Sequence, residues 1–326
     1  MTKFATAILL VALGATAFSE PLLLAPGTQL ELADEATAAK LLGTPDAYLQ
    51  RMSAFDRAVR MRLTDATSLE AFARNAAQSA RAFTDEERAK IESAWAEAKP
   101  LLEALHLAFP KRVTLVKTNG REDINEPYCR GPVIVIPERL FAMPPSALTR
   151  TLLHELFHVF STNHPELHDR LYALLDFRPC NDVALPPGED ARRFTNPDAM
   201  LYNYYTVLQH EGRELAVTPL LLSRAEKYDA AARGGAFSQV SLLLVELSLR
   251  DGQATAALDC EGRVISHEAE RVPAFLKRMQ RNTGYVIHPE EVLADNFVHA
   301  VKKTAELPEP ELPVKLLEIM QSAKQQ

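Results

Sequence analysis

His154, Glu155 and His158 belong to an HExxH pentapeptide, His154-Glu155-Leu156-Phe157-His158. On a helix, residues four apart share a face one turn apart, so both imidazoles could reach a single zinc ion. Glu155 points about a hundred degrees around the helix from His154, where it could touch a metal-bound water without being a ligand. Zinc with an open position lowers the pKa of its water towards neutrality, and a neighbouring carboxylate can take the proton as the hydroxide attacks a carbonyl. The pentapeptide therefore points to hydrolysis, with Zn2+ as cofactor and Glu155 as general base.

The flanking residues predict the helix that such a site needs. Pro144-Pro145-Ser146 makes a helix start with Ser146 as N-cap, and His164-Pro165 disfavours continuation beyond Asn163. Between them Leu148, Leu152, Leu153, Leu156, Phe157, Val159 and Phe160 give a broad apolar surface, with the two His on a separate stripe. Two His and a Glu inside so apolar a helix are costly without partners, which a metal supplies; the bland alternative is a pair of core histidines. A second helix is predicted downstream, where Pro289 occupies the first turn with Glu290 and Glu291 behind it. Glu291 and Asp295 share one of its faces, while Leu293, Phe297 and Val301 occupy another.

HExxH followed far downstream by an E-xxx-D helix resembles the gluzincin metallopeptidases, the thermolysin-like branch of the zincins. The likeness covers two short segments. It implies His154, His158 and Glu291 as zinc ligands and Asp295 as the residue that orients a ligand imidazole, since a carboxylate behind a ligating His fixes its tautomer. Glu290 competes with Glu291 for the ligand role, but its i+4 neighbour is Ala294. Tyr285 and His288 become candidate catalytic donors to a tetrahedral oxyanion, or else helix caps or core filling. The implied fold is α+β, mainly helical and zincin-like, with a small sheet ahead of the active-site helix. The implied activity is that of a zinc metallopeptidase acting on a peptide or protein. Alternatives are a zinc hydrolase of a non-protein amide such as peptidoglycan, and a non-catalytic zinc-containing binding protein; the intact Glu155 argues against the last. Metzincins, with HExxHxxGxxH, are the rival within the superfamily. His164 stands at their third-ligand spacing, but Ser161 replaces the glycine that their turn needs.

The elements around these segments are legible in outline. Residues 28 to 108 read as mostly helical, with a capping box from Thr84 to Glu87. Arg112 to Lys117 and Pro132 to Pro137 read as strands, and by the zincin resemblance Gly131 to Ile136 is a candidate substrate-binding edge. A hairpin around Glu211-Gly212 and a strand from Leu242 to Leu249 are expected next, then a closing helix from Val314 to Ala323 after a Pro-rich linker. Thr195-Asn196-Pro197-Asp198 is a turn signal.

Hydrophobic residues are 47% and charged residues 24% of the 326-residue chain, ordinary values for a globular protein with a substantial core. The net charge of -7 and the lack of an Arg/Lys cluster argue against nucleic acid as partner. Lys3, the apolar run to Leu13 and the small residues around Ala17 have the pattern of a secretory signal peptide over residues 1–19. The expected organisation is this leader, a helical N-terminal extension over 20–110 and a catalytic unit over 111–326, extracytoplasmic and without stable membrane insertion. Among Cys129, Cys180 and Cys260, a Cys180–Cys260 disulfide is the favoured pairing, because both lie in connecting stretches.

Overall fold

A computed structural model describes residues 22–25, 27–65 and 67–323, so the expected leader lies outside the described residues. The fold is α+β. One sheet contains β1 (Leu22–Ala25), β2 (Thr28–Leu32), β3 (Ala80–Arg81), β4 (Arg112–Thr118), β5 (Tyr128–Arg130) and β6 (Val133–Pro137). Its order is β1-β2-β4-β6-β5, with β3 also on β4. β4 runs parallel to β2 and β6, whereas β5 is antiparallel to β6. The second sheet is antiparallel and comprises β7 (Phe177–Pro179), β8 (Tyr204–His210), β9 (Arg213–Ser223), β10 (Val240–Arg250), β11 (Gln253–Ala256) and β12 (Ser266–Glu268). The β8–β9 hairpin turns at Glu211-Gly212 as the sequence predicts, both residues having positive φ.

The helices are α1 (Glu35–Gly43), α2 (Ala47–Arg51), α3 (Ala54–Met61), α4 (Leu69–Ser79), α5 (Asp85–Glu103), α6 (Pro145–Asn163), α7 (His168–Ala173), α8 (Pro187–Asp190), α9 (Pro273–Met279), α10 (Pro289–Lys302) and α11 (Glu311–Gln321). The α5 capping box forms, with Thr84 Oγ1 accepting from the Glu87 amide at 3.2 Å and Glu87 Oε2 from the Thr84 amide at 2.8 Å. One apolar core joins the layers. Trp95 of α5, Leu115 and Ile134 of the first sheet, Phe157 of α6, Phe297 of α10 and Val217 of the second sheet all belong to it. Phe157 and Phe297 are fully buried with ring centroids 6.0 Å apart, which clamps α6 to α10. Each such ring contributes about 1.5–3 kcal/mol by leaving water.

Several expectations are corrected. Ser146 is not the N-cap of α6: Pro144 holds that place without a side-chain bond, and Pro145 starts the helix. Residues 28 to 108 are mostly helical as expected, but they also carry β2 and β3; β2 pairs with β4 across some eighty residues of chain, and local periodicity carries no trace of such a partner. The closing helix starts at Glu311, its Pro313 tolerated within the first turn. Gly131 to Ile136 is no sheet edge, since β6 lies between β4 and β5. Cys180 and Cys260 are free thiols.

Candidate metal centre

The centre lies where the middle of α6 meets the first two turns of α10. His154 and His158 stand one turn apart on α6, ring centroids 4.9 Å from each other. Glu290 and Glu291 are adjacent on α10, so their side chains diverge by about a hundred degrees and serve different histidines. Glu291 Oε2 is 3.1 Å from His154 Nε2 and 3.5 Å from His158 Nε2. One donor atom from each of His154, His158 and Glu291 lies within 4.8 Å of the others, a group that could hold a metal ion.

The outer nitrogens are fixed by carboxylates. His154 Nδ1 is 3.1 Å from Asp295 Oδ1, and His158 Nδ1 is 3.2 Å from Glu290 Oε1. A carboxylate on Nδ1 holds the proton there and leaves the Nε2 lone pair free to ligate. These carboxylates are themselves held. Arg150 donates to Asp295 Oδ1 at 2.6 Å and Thr283 Oγ1 to Asp295 Oδ2, while Tyr172 and Ser161 donate to Glu290 Oε2 at 2.6 and 3.1 Å. Asn196 Nδ2 donates to Glu291 Oε1 at 2.6 Å, leaving Oε2 towards the histidines.

Two imidazole lone pairs facing a carboxylate oxygen repel unless a proton or a cation lies among them. His158 Nε2 is buried and has no hydrogen-bond partner. In the chain alone, protons answer the repulsion. Burial opposes protonation of His154, but the Asp295 and Glu291 carboxylates outweigh it and push its pKa up to about 9. Burial likewise opposes protonation of His158, yet Asp198 and Glu291 raise it well above its ordinary value. Burial opposes ionisation of Glu291, and the two imidazoles nonetheless hold it well below the usual range. The donor set, the fixed outer nitrogens and the unpartnered Nε2 fit a divalent metal such as zinc.

Glu155 is buried on the other flank of the histidines. Its Oε2 lies 3.3 Å from Cys129 Sγ, and Cys129, Glu155 and Asp198 each bring an atom within 4.8 Å of the others. Burial pushes the Glu155 carboxyl up against the pull of His158 and His154. Asp198 Oδ1 accepts the Cys129 amide at 2.8 Å. That amide faces away from β6, so the Asp198 carboxylate covers the outer edge of β5 beside the centre.

Tyr285 is 44% exposed and stacks on the His154 ring with centroids 6.0 Å apart, on the solvent side. His288 is the N-cap of α10, its Nδ1 accepting the Glu290 amide at 3.1 Å, and burial pushes its pKa down to about 4. His164 is not brought to the centre. It is fully buried, with Nε2 2.7 Å from the Ala108 carbonyl and Nδ1 3.0 Å from Glu166, so the metzincin ligand set does not assemble. Depressions of about 400 and 370 Å³ lie elsewhere, the first beside Arg51 and Asp182, the second beside Arg62 and Arg139.

No known protein family, no curated protein and no solved structure matches this chain. Sequence reasoning missed Glu290 as the partner of His158, Asn196 as the partner of Glu291, and Asp198 and Cys129 beside Glu155. Glu290 was recoverable, since neighbouring carboxylates at a helix start can each face one of two histidines a turn apart. The Thr195–Asp198 turn carried no local signal beyond its own bend.

Proposed function

We propose that this protein is a zinc-dependent hydrolase, and in particular a metallopeptidase, in which His154, His158 and Glu291 hold the ion and Glu155 moves the proton. One observation carries this reading: the buried, unpartnered His158 Nε2 converges with His154 Nε2 and Glu291 Oε2 while each outer nitrogen rests on a carboxylate. Bound zinc would supply Lewis acidity and a water of lowered pKa. The remaining work belongs to the chain. Asp295 and Glu290 orient the imidazoles, and Asn196 orients Glu291. Glu155 accepts a proton and returns it to the leaving amine, a role favoured by burial, which raises its basicity above that of an ordinary carboxylate. Tyr285, half exposed over His154, is the candidate donor to a substrate carbonyl oxygen. His288 caps α10 and holds the turn ahead of the ligands. The signal-peptide pattern over residues 1–19 supports action outside the cytoplasm.

A second reading, hydrolysis of a compact non-protein amide such as a peptidoglycan cross-link, is favoured by the covered β5 edge. An extended peptide docks by adding to a free strand edge, and here the Cys129 amide is already bonded to Asp198. Assays on casein and on peptidoglycan fragments separate the two substrates. In either assay Glu155→Gln should retain zinc and melting temperature while turnover falls about a hundred- to ten-thousand-fold. Near-wild-type turnover would remove Glu155 from the chemistry.

A further inference from the structure

The Thr195–Asp198 turn touches both flanks of the centre. Asn196 donates to Glu291 on one side, and Asp198 accepts from Cys129, whose thiol meets Glu155, on the other. Asn196, Pro197 and Asp198 are only partly buried, and a turn of this kind has little apolar packing of its own to hold it still. A residue that aims a ligand must itself be held to within about half an ångström.

What holds this turn is an ion pair on α3. Thr195, fully buried, is gripped at every polar atom: its amide and Oγ1 donate to Asp56 Oδ1 and Oδ2 at 2.8 and 2.7 Å, and its carbonyl accepts from Arg60 Nη2 at 2.8 Å. Arg60 Nη1 bonds Asp56 Oδ1 at 2.7 Å, and its Nε lies 2.9 Å from the Tyr48 hydroxyl and 3.0 Å from Asp123. Both side chains of the pair are fully buried, and each guanidinium nitrogen and each Asp56 oxygen has a partner, which is what makes the pair a rigid support. The next residue along the chain is Asn196, whose Oδ1 also accepts the Asp198 amide at 3.1 Å.

We propose that the Arg60–Asp56 pair, acting through Thr195, locks Asn196 against Glu291, which makes α3 a working part of the metal centre and Asn196 and Thr195 its positioning residues. This rests on the metal-centre reading above.

The test uses the full chain and two probes, zinc affinity by chelator competition and the absorption spectrum of the Co2+-loaded protein. Asn196→Ser frees Glu291 Oε1 and should weaken zinc about ten-fold or more, with a changed cobalt spectrum. Thr195→Val removes the hydroxyl but leaves Asp56 Oδ2 its bond from the Ser53 amide at 2.9 Å, so the fold should survive. It should weaken zinc severalfold and shift the cobalt spectrum in the same direction, and Thr195→Ser should restore both. The double variant should bind no more weakly than Asn196→Ser alone, because the lock acts only through Asn196. Thr195→Val with a lowered melting temperature but wild-type zinc affinity and cobalt spectrum would overturn the lock, as would fully additive losses. A wild-type protein that takes up no zinc would instead sink the metal-centre reading.

Discussion

Among the described residues, the buried ionic cluster around Arg60 is complete and the one around His154 and His158 is not. Around Arg60 the chain supplies both signs: Asp56 and Asp123 face a single guanidinium, and its nitrogens are all engaged by the carboxylates, Tyr48 and the Thr195 carbonyl. Around His154 and His158 the chain supplies carboxylates in excess. Glu155, Glu290, Glu291 and Asp295 are buried, yet among the described residues the guanidinium that reaches them is Arg150, which touches Asp295 alone and is 47% exposed. The difference separates architecture from function. A buried pair that balances itself specifies a conformation, whereas a buried excess of acceptors is costly unless protons or a metal cation complete it, and His158 Nε2 lies in that excess buried and without a partner.

Breaking the complete cluster should have the largest effect on folding. Arg60→Met leaves Asp56 and Asp123 buried without their partner, which costs about 3–5 kcal/mol in chemical denaturation. Zinc should stabilise this variant by no more than it stabilises the wild type, so the deficit between the two should persist at saturating metal. Loss of stability below about 1 kcal/mol would mean that the Arg60 cluster is not the rigid element described here.

Breaking the incomplete cluster should cost metal before it costs fold. Glu291→Gln should lower zinc occupancy far more than Glu290→Gln. Glu290→Gln and Asp295→Asn, each acting behind one imidazole, should weaken affinity about ten- to a hundred-fold. Equal losses for Glu290 and Glu291 by chelator competition would erase the distinction between ligand and brace.

The smallest and most graded effect is on pH. With its folded-state pKa raised from 6.5 to about 9 by Asp295 and Glu291 over the opposing effect of burial, His154 contributes stability to the metal-free chain that is full below pH 6.5 and lost as the pH rises through about 9. Zinc needs the same nitrogen unprotonated, so its affinity should rise about tenfold per pH unit for each proton displaced. The melting temperature of the metal-free protein should therefore fall over that window while the increment given by zinc grows. A zinc increment that does not change between pH 6.5 and 9 would contradict the assignment of His154.

The incomplete cluster was the more legible of the two in the sequence, and for a physical reason. Its side chains come from two helices, where spacing alone decides which of them share a face, so the pairs His154 with His158 and Glu291 with Asp295 could be read from i+4 periodicity, and the gluzincin resemblance implied that the two helices meet. The Arg60 cluster joins α3, the loop carrying Asp123 and the Thr195 turn, contacts that no local period encodes. The same limit explains β2, whose parallel partner β4 lies far along the chain, and β5, which at Tyr128–Arg130 is too short to show alternation and so made β6 look like an edge. His164 had the right spacing for a third ligand, but spacing does not say where the chain turns after Asn163; its ring went to the Ala108 carbonyl instead.

We propose that the histidine cluster binds one zinc ion through His154, His158 and Glu291. Calorimetric titration of the metal-free protein with zinc at pH 8, alongside its melting temperature, tests this most directly. The account predicts one zinc per chain and, at about a thousandfold excess over Kd, roughly 4 kcal/mol of added stability, both lost in His158→Ala. Absence of zinc uptake by the wild type, or uptake that His158→Ala leaves unchanged, would contradict it.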